Sequence, residues 1–226
     1  MIGAWNVRTL MDSETKNRPE RRTALIAKEL SRYNIDIAAL SETRLADTGE
    51  ITEQGQGYTF FWSGKAADER REAGVGFAIR SSLIRSLESL PKGISDRLMT
   101  MRLPLEQNNY ISLISVYAPT MTYSDEEKEA FYEALTSLVN EVPKGDRLLI
   151  LGDFNARVGT DYRVWEGVLG HHGIGRENSN GSLLLSFCTQ QHLLFTNTGF
   201  DLPDIHKTTW MHPRSKHWHL IDYIIT

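Results

Sequence analysis

The sequence predicts an α/β fold in which two β-sheets pack face to face with helices outside them. Strands and helices alternate near both ends of the 226-residue chain, which is typical of parallel strands joined by helices. Apolar runs separated by short turns lie between these ends and indicate antiparallel strands. The length suits one domain, residues 1–226, because no linker or repeat divides the sequence.

The composition excludes several classes of protein. A hydrophobic content of 40% with 24% charged residues is that of a globular protein. No apolar run approaches the ~20 residues of a membrane span, and no secretory signal is present, so we expect no membrane partner and an intracellular location. The single cysteine, Cys188, excludes an internal disulfide framework, and its apolar neighbours predict a buried thiol.

The charge pattern limits how the chain could bind nucleic acid. A formal net charge of −4 argues against coating nucleic acid by bulk electrostatics. It does not exclude an enzyme that binds phosphate through a metal ion and a local basic patch. The seven histidines show none of the zinc-binding spacings.

The first elements predict a strand, a helix and a second strand. Ile2 to Val7 and Ile35 to Leu40 are the strands, and the helix opens near Asn17 or Arg18 with Pro19 in its first turn. Its apolar stripe is formed by residues spaced at i, i+4 and i+7, namely Ile26, Leu30 and Tyr33. Parallel pairing of the two strands would bring Asn6 and Glu42 to the same edge of the sheet.

The middle of the chain predicts an antiparallel meander. A polar loop from Ala46 to Gly57 precedes four apolar runs, which are residues 58–62, 74–79, 98–103 and 111–116. Asn108-Asn109 is a plausible hairpin turn. Next, Ser124 and Glu127 form a capping box that opens a helix with Phe131, Leu135 and Leu138 on its buried stripe.

The remaining pattern centres on the run Leu148-Leu149-Ile150-Leu151-Gly152-Asp153-Phe154-Asn155. Its aliphatic part predicts a strand buried on both faces. On an extended segment, Asp153 and Asn155 would leave the sheet side by side, an arrangement that suits phosphate-ester hydrolysis. The same pattern also suits a turn in which both side chains bond the backbone. A surface loop (residues 167–181), a helix (183–192) and strands at 193–197, 208–210 and 220–225 complete the chain.

The polar residues at these strand ends occur in an order that resembles a known family. The motifs are Trp5-Asn6-Val7-Arg8, Ser41-Glu42-Thr43-Arg44, Val116-Tyr117-Ala118-Pro119, Gly152-Asp153-Phe154-Asn155 and Leu220-Ile221-Asp222-Tyr223. They resemble the endonuclease/exonuclease/phosphatase superfamily over nearly the whole chain. Residues 175–181 and 210–216 are similar to its retrotransposon branch and to the craniofacial development protein 2-like sequences derived from that branch. The resemblance implies a four-layer α/β sandwich with two mixed sheets flanked by helices.

The resemblance also implies a role for each motif residue. Glu42 would be the principal ligand of Mg²⁺, with Asn6 beside it and Mn²⁺ as an alternative ion. Asp153 would orient or deprotonate the attacking water, and Asn155 would donate to the phosphoryl oxygen. Tyr117 would contact the phosphate or assist the leaving group. Asp222 would orient a histidine that faces the phosphate.

The hairpin around Trp210 and Trp218 carries basic residues that have two interpretations. Arg214 and Lys216 could lie on an ordinary solvent-exposed hairpin, or they could contact DNA as the corresponding hairpin does in retrotransposon nucleases. The resemblance places Arg8 and Arg44 among the nucleic-acid-binding residues as well.

The family's last motif, Ser-Asp-His, is missing from this sequence. The sequence stops at Thr226, four residues past Asp222, and no histidine follows Asp222. His219 would face away from Asp222 if both lay on one strand. We therefore expect a fragment without the final strand, in which Mg²⁺ binding survives but little or no nicking activity does, because losing one preorganised donor typically costs on the order of 10²–10³ in rate.

The sequence thus predicts a Mg²⁺-dependent DNA endonuclease that nicks one strand, located in the nucleus. It would use no small-molecule cofactor, and a fused or associated reverse transcriptase would be its partner in the parent element. The alternatives are a phosphatase of the same fold, acting on an inositol phosphate or a similar substrate, and a catalytically silent nucleic-acid-binding domain.

Overall fold

The computed structural model describes residues 1–12 and 20–226. The chain forms two compact units. The first comprises Met1–Tyr117 and Gly145–Leu148, and the second comprises Ala118–Lys144 and Leu149–Thr226. Within the described ranges, no helix is long and apolar enough to cross a membrane.

The first unit contains a five-stranded mixed sheet. Its strands are β1 (Ile2–Asn6), β2 (Ile37–Ser41), β3 (Thr48–Glu53), β4 (Tyr58–Ser63) and β5 (Val75–Arg80). Their spatial order is β1-β2-β5-β4-β3, with β1 parallel to β2 and the other pairs antiparallel. The predicted parallel pairing of the first two strands is therefore confirmed.

Helix α1 (Arg22–Arg32) covers one face of this sheet. Its buried side chains are Thr23, Ala27 and Leu30, whereas Tyr33 follows the helix as its C-cap and is 62% exposed. The predicted stripe is confirmed at Leu30, which is buried, and at Ile26, which packs against the same core, but it is wrong at Tyr33 because the helix ends before that residue. The predicted helix start at residues 17–19 lies outside the described residues.

Strand β3 occupies the segment that the sequence predicts as a loop. Its side chains alternate between exposed and partly buried along Thr48–Glu53, and it pairs with β4 along its whole length. An edge strand of a sheet presents one polar face and tolerates glycine and charged residues. These residue types caused the incorrect loop prediction.

The first unit also contains a second, antiparallel set of strands. These are β6 (Lys92–Gly93), β7 (Leu98–Pro104) and β8 (Tyr110–Tyr117), and the short helix α2 (Ser81–Ile84) precedes them. The predicted single meander is therefore wrong, because β4 and β5 belong to one sheet and β7 and β8 to another. The predicted hairpin between β7 and β8 is confirmed, but its turn lies at Glu106–Asn108 instead of Asn108-Asn109, with a positive φ of 60° at Asn108.

The two sheets of the first unit pack face to face. Strands β2 and β5 of the first sheet lie against β8 of the second. Two buried serines join them, since Ser41 Oγ donates to the carbonyl of Val116 at 2.8 Å and Ser115 Oγ donates to that of Leu40 at 3.4 Å. These bonds satisfy hydroxyl groups that would be costly to bury alone.

The second unit contains two long helices, α3 (Asp125–Glu141) and α4 (Ser179–Gln190), which contact each other through the rings of Tyr132 and Phe187. The predicted capping box is confirmed, because Ser124 Oγ accepts from the amide of Glu127 and the Glu127 carboxylate accepts from that of Ser124. All three residues of the predicted apolar stripe of α3 are buried. Cys188 is also buried, and burial raises the pKa of its thiol.

Helix α4 begins four residues before the predicted start. Asn178 caps it by accepting from the amide of Gly181 at 2.8 Å. Gly181 lies so close to the loop before the helix that a Cβ atom would be 1.8 Å from the carbonyl oxygen of Arg157. The glycines that predicted a loop here instead permit close packing of the first helical turn.

The strands of the second unit form an antiparallel pair and a small hairpin. Strand β9 (Arg147–Asp153, whose first two residues belong to the first unit) pairs with β12 (Asp222–Ile225), and β10 (Trp210–Met211) pairs with β11 (Trp218–His219). The predicted strand at residues 193–197 is wrong, because only Phe195 makes a β-bridge there, to Ile225. The α/β class is confirmed, since strands and helices combine in both units.

Candidate active site

In the first unit, Asn6 and Glu42 lie at the ends of adjacent parallel strands. Asn6 is in register with Ser41, and Glu42 is the next residue. The Oδ1 atom of Asn6 accepts from the backbone N–H of Arg8 at 2.9 Å. The parallel ladder therefore holds a carboxamide and a carboxylate at the same edge of the sheet, as the sequence predicts.

Glu42 has a left-handed backbone and a well-defined set of partners. Its φ of 58° is uncommon for a residue other than glycine and indicates a conformation held by its surroundings. Its side chain is 17% exposed, and Oε1 accepts from the hydroxyl of Tyr117 at 3.0 Å and from Nη2 of Arg44 at 3.2 Å. The structure thus brings together three of the predicted residues: Glu42, Tyr117 and Arg44.

Arg97 positions Tyr117 and was missed by the sequence analysis. Its guanidinium lies 5.4 Å from the centre of the Tyr117 ring, and its Nη1 donates to the Tyr117 carbonyl at 3.2 Å. The backbone N–H of Tyr117 donates in turn to the carbonyl of Arg97 at 3.0 Å. No sequence motif marks Arg97, because its role depends on the pairing of β7 with β8.

The donor set at this edge suits Mg²⁺. A carboxylate and a carboxamide are hard oxygen ligands, and Mg²⁺ commonly binds one or two carboxylates while keeping several waters. Among the described residues, no three His, Cys, Asp or Glu side chains cluster as a potential metal site. Glu42 and Asn6 are the oxygen ligands that this edge offers, but Oδ1 of Asn6 already accepts from Arg8 and Oε1 of Glu42 from Arg44.

In the second unit, Asp153 and Asn155 form a tight turn at the end of β9. Asp153 is 2% exposed, and its Oδ1 accepts from the backbone N–H of Asn155 at 2.8 Å. The φ of Asn155 is 48°, so the chain is not extended there. The prediction of an extended segment at Asn155 is therefore wrong, although the Asp153 carboxylate does lie beside Asn155. The turn interpretation is correct for the backbone at this position.

Asn155 is held by the neighbouring loop and by helix α4. Its Nδ2 donates to the carbonyl of Ala118 at 2.9 Å, which uses one of its two N–H donors. The buried Asn180 on α4 donates to the carbonyls of both Asn155 and Pro119 at 3.0 Å. Asn180 was missed by the sequence analysis, although it lies in the segment 175–181 that carried the retrotransposon likeness.

Asp222 lies directly opposite Asp153 in the antiparallel register of β12 and β9. Opposed residues of such a pair share one face of the sheet, so two carboxyl groups are neighbours here. Burial raises the pKa of Asp222 to about 6, although a hydrogen bond from Thr209 partly opposes this shift. Its Oδ1 is buried and has no hydrogen-bond partner among the described residues. The predicted tendency of Asp222 to be protonated is therefore confirmed, with burial as its cause.

A cavity of about 340 Å³ lies beside Asn155, and we name it the hairpin pocket. One wall is the β10–β11 hairpin, and the other is formed by the loop after β9 and the residue that caps α4. Its lining residues are Met121, Asn155, Arg157, Asn178, Trp210, His212, His219 and Ile221. The pocket therefore gathers amide, guanidinium and imidazole donors beside a predicted catalytic residue.

The histidines of this pocket are held by the hairpin. The ring of His219 stacks on Trp210 at 5.9 Å, and Nδ1 of His212 accepts from the N–H of Ser215 at 3.1 Å. His219 lies on β11 and Asp222 on β12, so the expectation that both follow one strand's alternation is wrong. Burial, followed by the charges of Arg157, His212 and His217, lowers the pKa of His219.

The remaining predicted basic residues lie on the surface. Arg214 and Lys216 are exposed in the turn of the β10–β11 hairpin, where the N–H of Lys216 donates to the carbonyl of His212 at 2.9 Å. Arg8 is exposed after β1. The predicted hairpin is confirmed, and its DNA contact stays a prediction.

Arg157, His212 and His219 were not among the predicted site residues. Arg157 could have been found, because it follows Asn155 by two residues, just after the Gly152-Asp153-Phe154-Asn155 motif. The two histidines could not, since their placement depends on the hairpin register of Trp210 with His219.

Comparison with known proteins agrees with this fold. The chain is 31% identical over 224 residues to craniofacial development protein 2 of Bos taurus, covering 99% of this chain and 35% of the relative. It therefore spans about a third of that relative's length. An AP endonuclease from Archaeoglobus fulgidus superposes with a TM-score of 0.55 at 16% identity, covering 100% of this chain and 86% of the other. D. rerio TDP2 complexed with a single-strand DNA product gives 0.54 at 12% identity, covering 98% and 81%.

These structural likenesses concern the fold alone, because their sequence identities are low. The sequence profile of the Endonuclease/Exonuclease/phosphatase family matches residues 3–226. Members of this family are hydrolases of the nuclease and phosphatase type, and they generally use divalent metal ions. The chain belongs to the Endonuclease/Exonuclease/phosphatase family.

Proposed function

We propose that this chain is a Mg²⁺-dependent phosphodiesterase that acts on DNA and nicks one strand. The observation that carries the proposal is the hairpin pocket, where Asn155, Arg157 and two histidines line one cavity. These groups donate hydrogen bonds or carry positive charge, so they suit the oxygens of a phosphate ester. The buried Asp153 precedes Asn155, which lines this cavity, by two positions in the sequence.

In the first unit, Glu42 and Asn6 would hold the metal ion. When bound, Mg²⁺ supplies Lewis-acid stabilisation of the charge that develops on the phosphoryl oxygens. The Tyr117 hydroxyl, which donates to Oε1 of Glu42, would orient that carboxylate, while Arg97 holds the backbone carbonyl of Tyr117. Its contact with the phosphate or the leaving group remains part of the proposal.

In the second unit, Asp153 would orient the attacking water and accept its proton. The N–H of Asn155 already binds one of its oxygens, which fixes the direction of the carboxylate. The second N–H donor of the Asn155 side chain would bind a phosphoryl oxygen. Asp222, on the same face of the sheet as Asp153, would hold a proton below about pH 6 and so avoid a second negative charge there in mildly acidic solution.

If the substrate is DNA, further proposals follow about the residues that contact it and about the location of the protein. The exposed residues Arg214 and Lys216 would contact backbone phosphates, because cationic side chains at the tip of a hairpin can reach into a groove. The protein would then act in the nucleus, alongside a reverse transcriptase if it serves a retrotransposon.

A supercoiled-plasmid nicking assay tests the proposal. Since the sequence predicts slow turnover, the protein is used in excess over plasmid, with Mg²⁺ or with EDTA. Nicked circles should accumulate only with Mg²⁺, and Asp153→Asn should remove at least about 99% of the rate. The exposed Asp201 provides a control, and Asp201→Asn should retain the wild-type rate. Equal nicking by wild type and Asp153→Asn would refute the proposal.

A further inference from the structure

A second cavity of the same unit adjoins the hairpin pocket. Its volume is about 520 Å³, within the range of small-molecule sites. Both cavities are lined by Arg157 and His219, so these two residues lie between the hairpin pocket and the second cavity. The apolar side chains that line the second cavity are Ile174, Ile205, Trp218 and Leu220. The acidic residue Asp204 also lines it.

The separating arginine has a firmly held backbone. The N–H of Arg157 donates to Oδ1 of Asn178 at 2.9 Å, and its carbonyl accepts from the N–H of Asn178 at 3.1 Å. No carboxylate forms an ion pair with its guanidinium among residues 1–12 and 20–226. A guanidinium on a held backbone, with no ion-pair partner among these residues, suits an anionic ligand group.

The apolar wall of the second cavity is unusually open to solvent. Ile205 is 79% exposed and Trp218 is 57% exposed. A large apolar surface beside a polar pocket commonly marks a binding site. The carboxylate of Asp204, which pairs with Lys207 at 4.0 Å, provides a hydrogen-bond acceptor at the margin of this wall.

An apolar wall next to the Arg157 guanidinium should favour some classes of phosphate ester over others. A polyol phosphate would place hydroxyl groups against isoleucine, leucine and tryptophan, where they lose water without gaining partners. A nucleobase has flat apolar faces that stack on tryptophan and on guanidinium planes, and N–H groups at its edge. The chemistry of the wall therefore favours the base of a nucleotide.

We propose that the second cavity is a nucleobase subsite, which binds the base of a nucleotide whose phosphate lies in the hairpin pocket. The assignment rests on the proposed function and deepens it, because it selects nucleotides over inositol phosphates as substrates. Arg157 would contact the phosphate side, and Trp218 with Ile205 would contact the base.

Equilibrium binding in the presence of EDTA tests this subsite separately from catalysis. The probes are deoxyadenosine monophosphate, myo-inositol monophosphate, inorganic phosphate and a short single-stranded trinucleotide. The nucleotide should bind about tenfold more tightly than the inositol phosphate, as stacking of one base predicts. Tighter binding of the trinucleotide than of the mononucleotide would show that the bound base belongs to a nucleic-acid strand. The reverse would show that it belongs to a free nucleotide.

Matched variants assign the preference to the cavity. Ile205→Asp should abolish the advantage of the nucleotide while inorganic phosphate still binds, whereas Val164→Asp, at another exposed apolar residue, should change neither. Arg157→Gln should weaken all four probes, and Arg163→Gln should not. Thermal melting curves identify any variant that fails to fold, and Trp218→Ala then replaces it.

The outcomes separate this inference from the proposed function. A nucleotide preference without hydrolysis would support the subsite and count against the enzyme. Hydrolysis with equal binding of nucleotide and inositol phosphate would refute the subsite alone. Loss of the preference in both Ile205→Asp and Val164→Asp would also refute it.

Discussion

The hydroxyl of Tyr117 donates a hydrogen bond to Oε1 of Glu42 at 3.0 Å, so a residue at the end of one sheet fixes a carboxylate at the end of the other. The two residues are 75 positions apart in the sequence, and the face-to-face packing of the sheets in the first unit brings them together. The orientation of the predicted metal ligand therefore depends on the fold of that whole unit.

Tyr117→Phe should reduce catalysis far more than it disturbs the fold. The buried ring remains, while Glu42 loses a donor that fixes its orientation. We expect a fall of about tenfold to 100-fold in the Mg²⁺-dependent nicking rate, the range for partners of metal ligands. Single-turnover assays measure this, and Tyr33→Phe, at an exposed position, is the control. An unchanged rate would remove Tyr117 from the site.

Asp222→Asn should stabilise the protein at neutral pH. Folding raises the pKa of this carboxyl from 3.8 to about 6, so the folded state binds its proton more tightly than the unfolded state does. The stability that this carboxyl contributes to the protein is therefore fully present below about pH 4. It is lost as the pH rises through about 6. The difference corresponds to about 3 kcal/mol at pH 8.

Urea denaturation at pH 4 and pH 8 measures this effect. The variant should be more stable than wild type by about 2–3 kcal/mol at pH 8 and should equal it near pH 4. A lower stability of Asp222→Asn at pH 8 would show that the charged carboxylate has a partner that stabilises it. A slower nicking rate in a more stable variant would mark Asp222 as functional.

Asp146→Asn should destabilise the first unit. The Asp146 carboxylate binds Arg102 through two hydrogen bonds of 2.7 and 2.8 Å and accepts from Ser112 at 2.8 Å. The hydrogen bond from Arg102 is the main reason that its pKa lies below the ordinary value. Because Arg102 is partly exposed, solvent screens the ion pair, and the loss should be that of hydrogen bonds to a charged group, about 1.5–3 kcal/mol. Denaturation of Asp68→Asn, a surface control, should show no loss.

Arg214→Ala/Lys216→Ala should weaken DNA binding in a salt-dependent way. Each lost phosphate contact lowers the slope of log affinity against log salt by about one unit. Binding to a duplex between 50 and 200 mM salt, about the range where such contacts act, measures the slope. The pair Lys144→Ala/Arg147→Ala, exposed elsewhere, is the control. An unchanged slope would return the hairpin to the ordinary surface interpretation.

The sequence correctly predicted the helices and strands that are determined by residues close to one another in the chain. The capping box of Ser124 and Glu127, the stripe through Leu135 and the strand before Asp153 depend on neighbours within a few residues. Strand β3 was missed because an edge strand needs only one apolar face. The separation of β4 and β5 from β7 and β8 was missed because sheet membership depends on long-range pairing.

The candidate site was predictable to a similar extent. Motif order identified Glu42 and Asp153, but the turn at Asn155 could not be read from alternation, because its φ is positive. Arg97 was missed and His219 was set aside, since their contacts arise from pairing of β7 with β8 and of β10 with β11.

Titration of Mg²⁺ by isothermal calorimetry, with Mn²⁺ as a second ion, tests the central claim that Glu42 holds a catalytic metal. The wild-type chain should bind one ion, and Glu42→Gln should weaken the affinity by about 100-fold or more, because a direct ligand matters at least as much as its supporting partners. The exposed Glu50 provides the control, and Glu50→Gln should bind as wild type does. Equal affinities for wild type and Glu42→Gln, both with intact thermal transitions, would contradict the account.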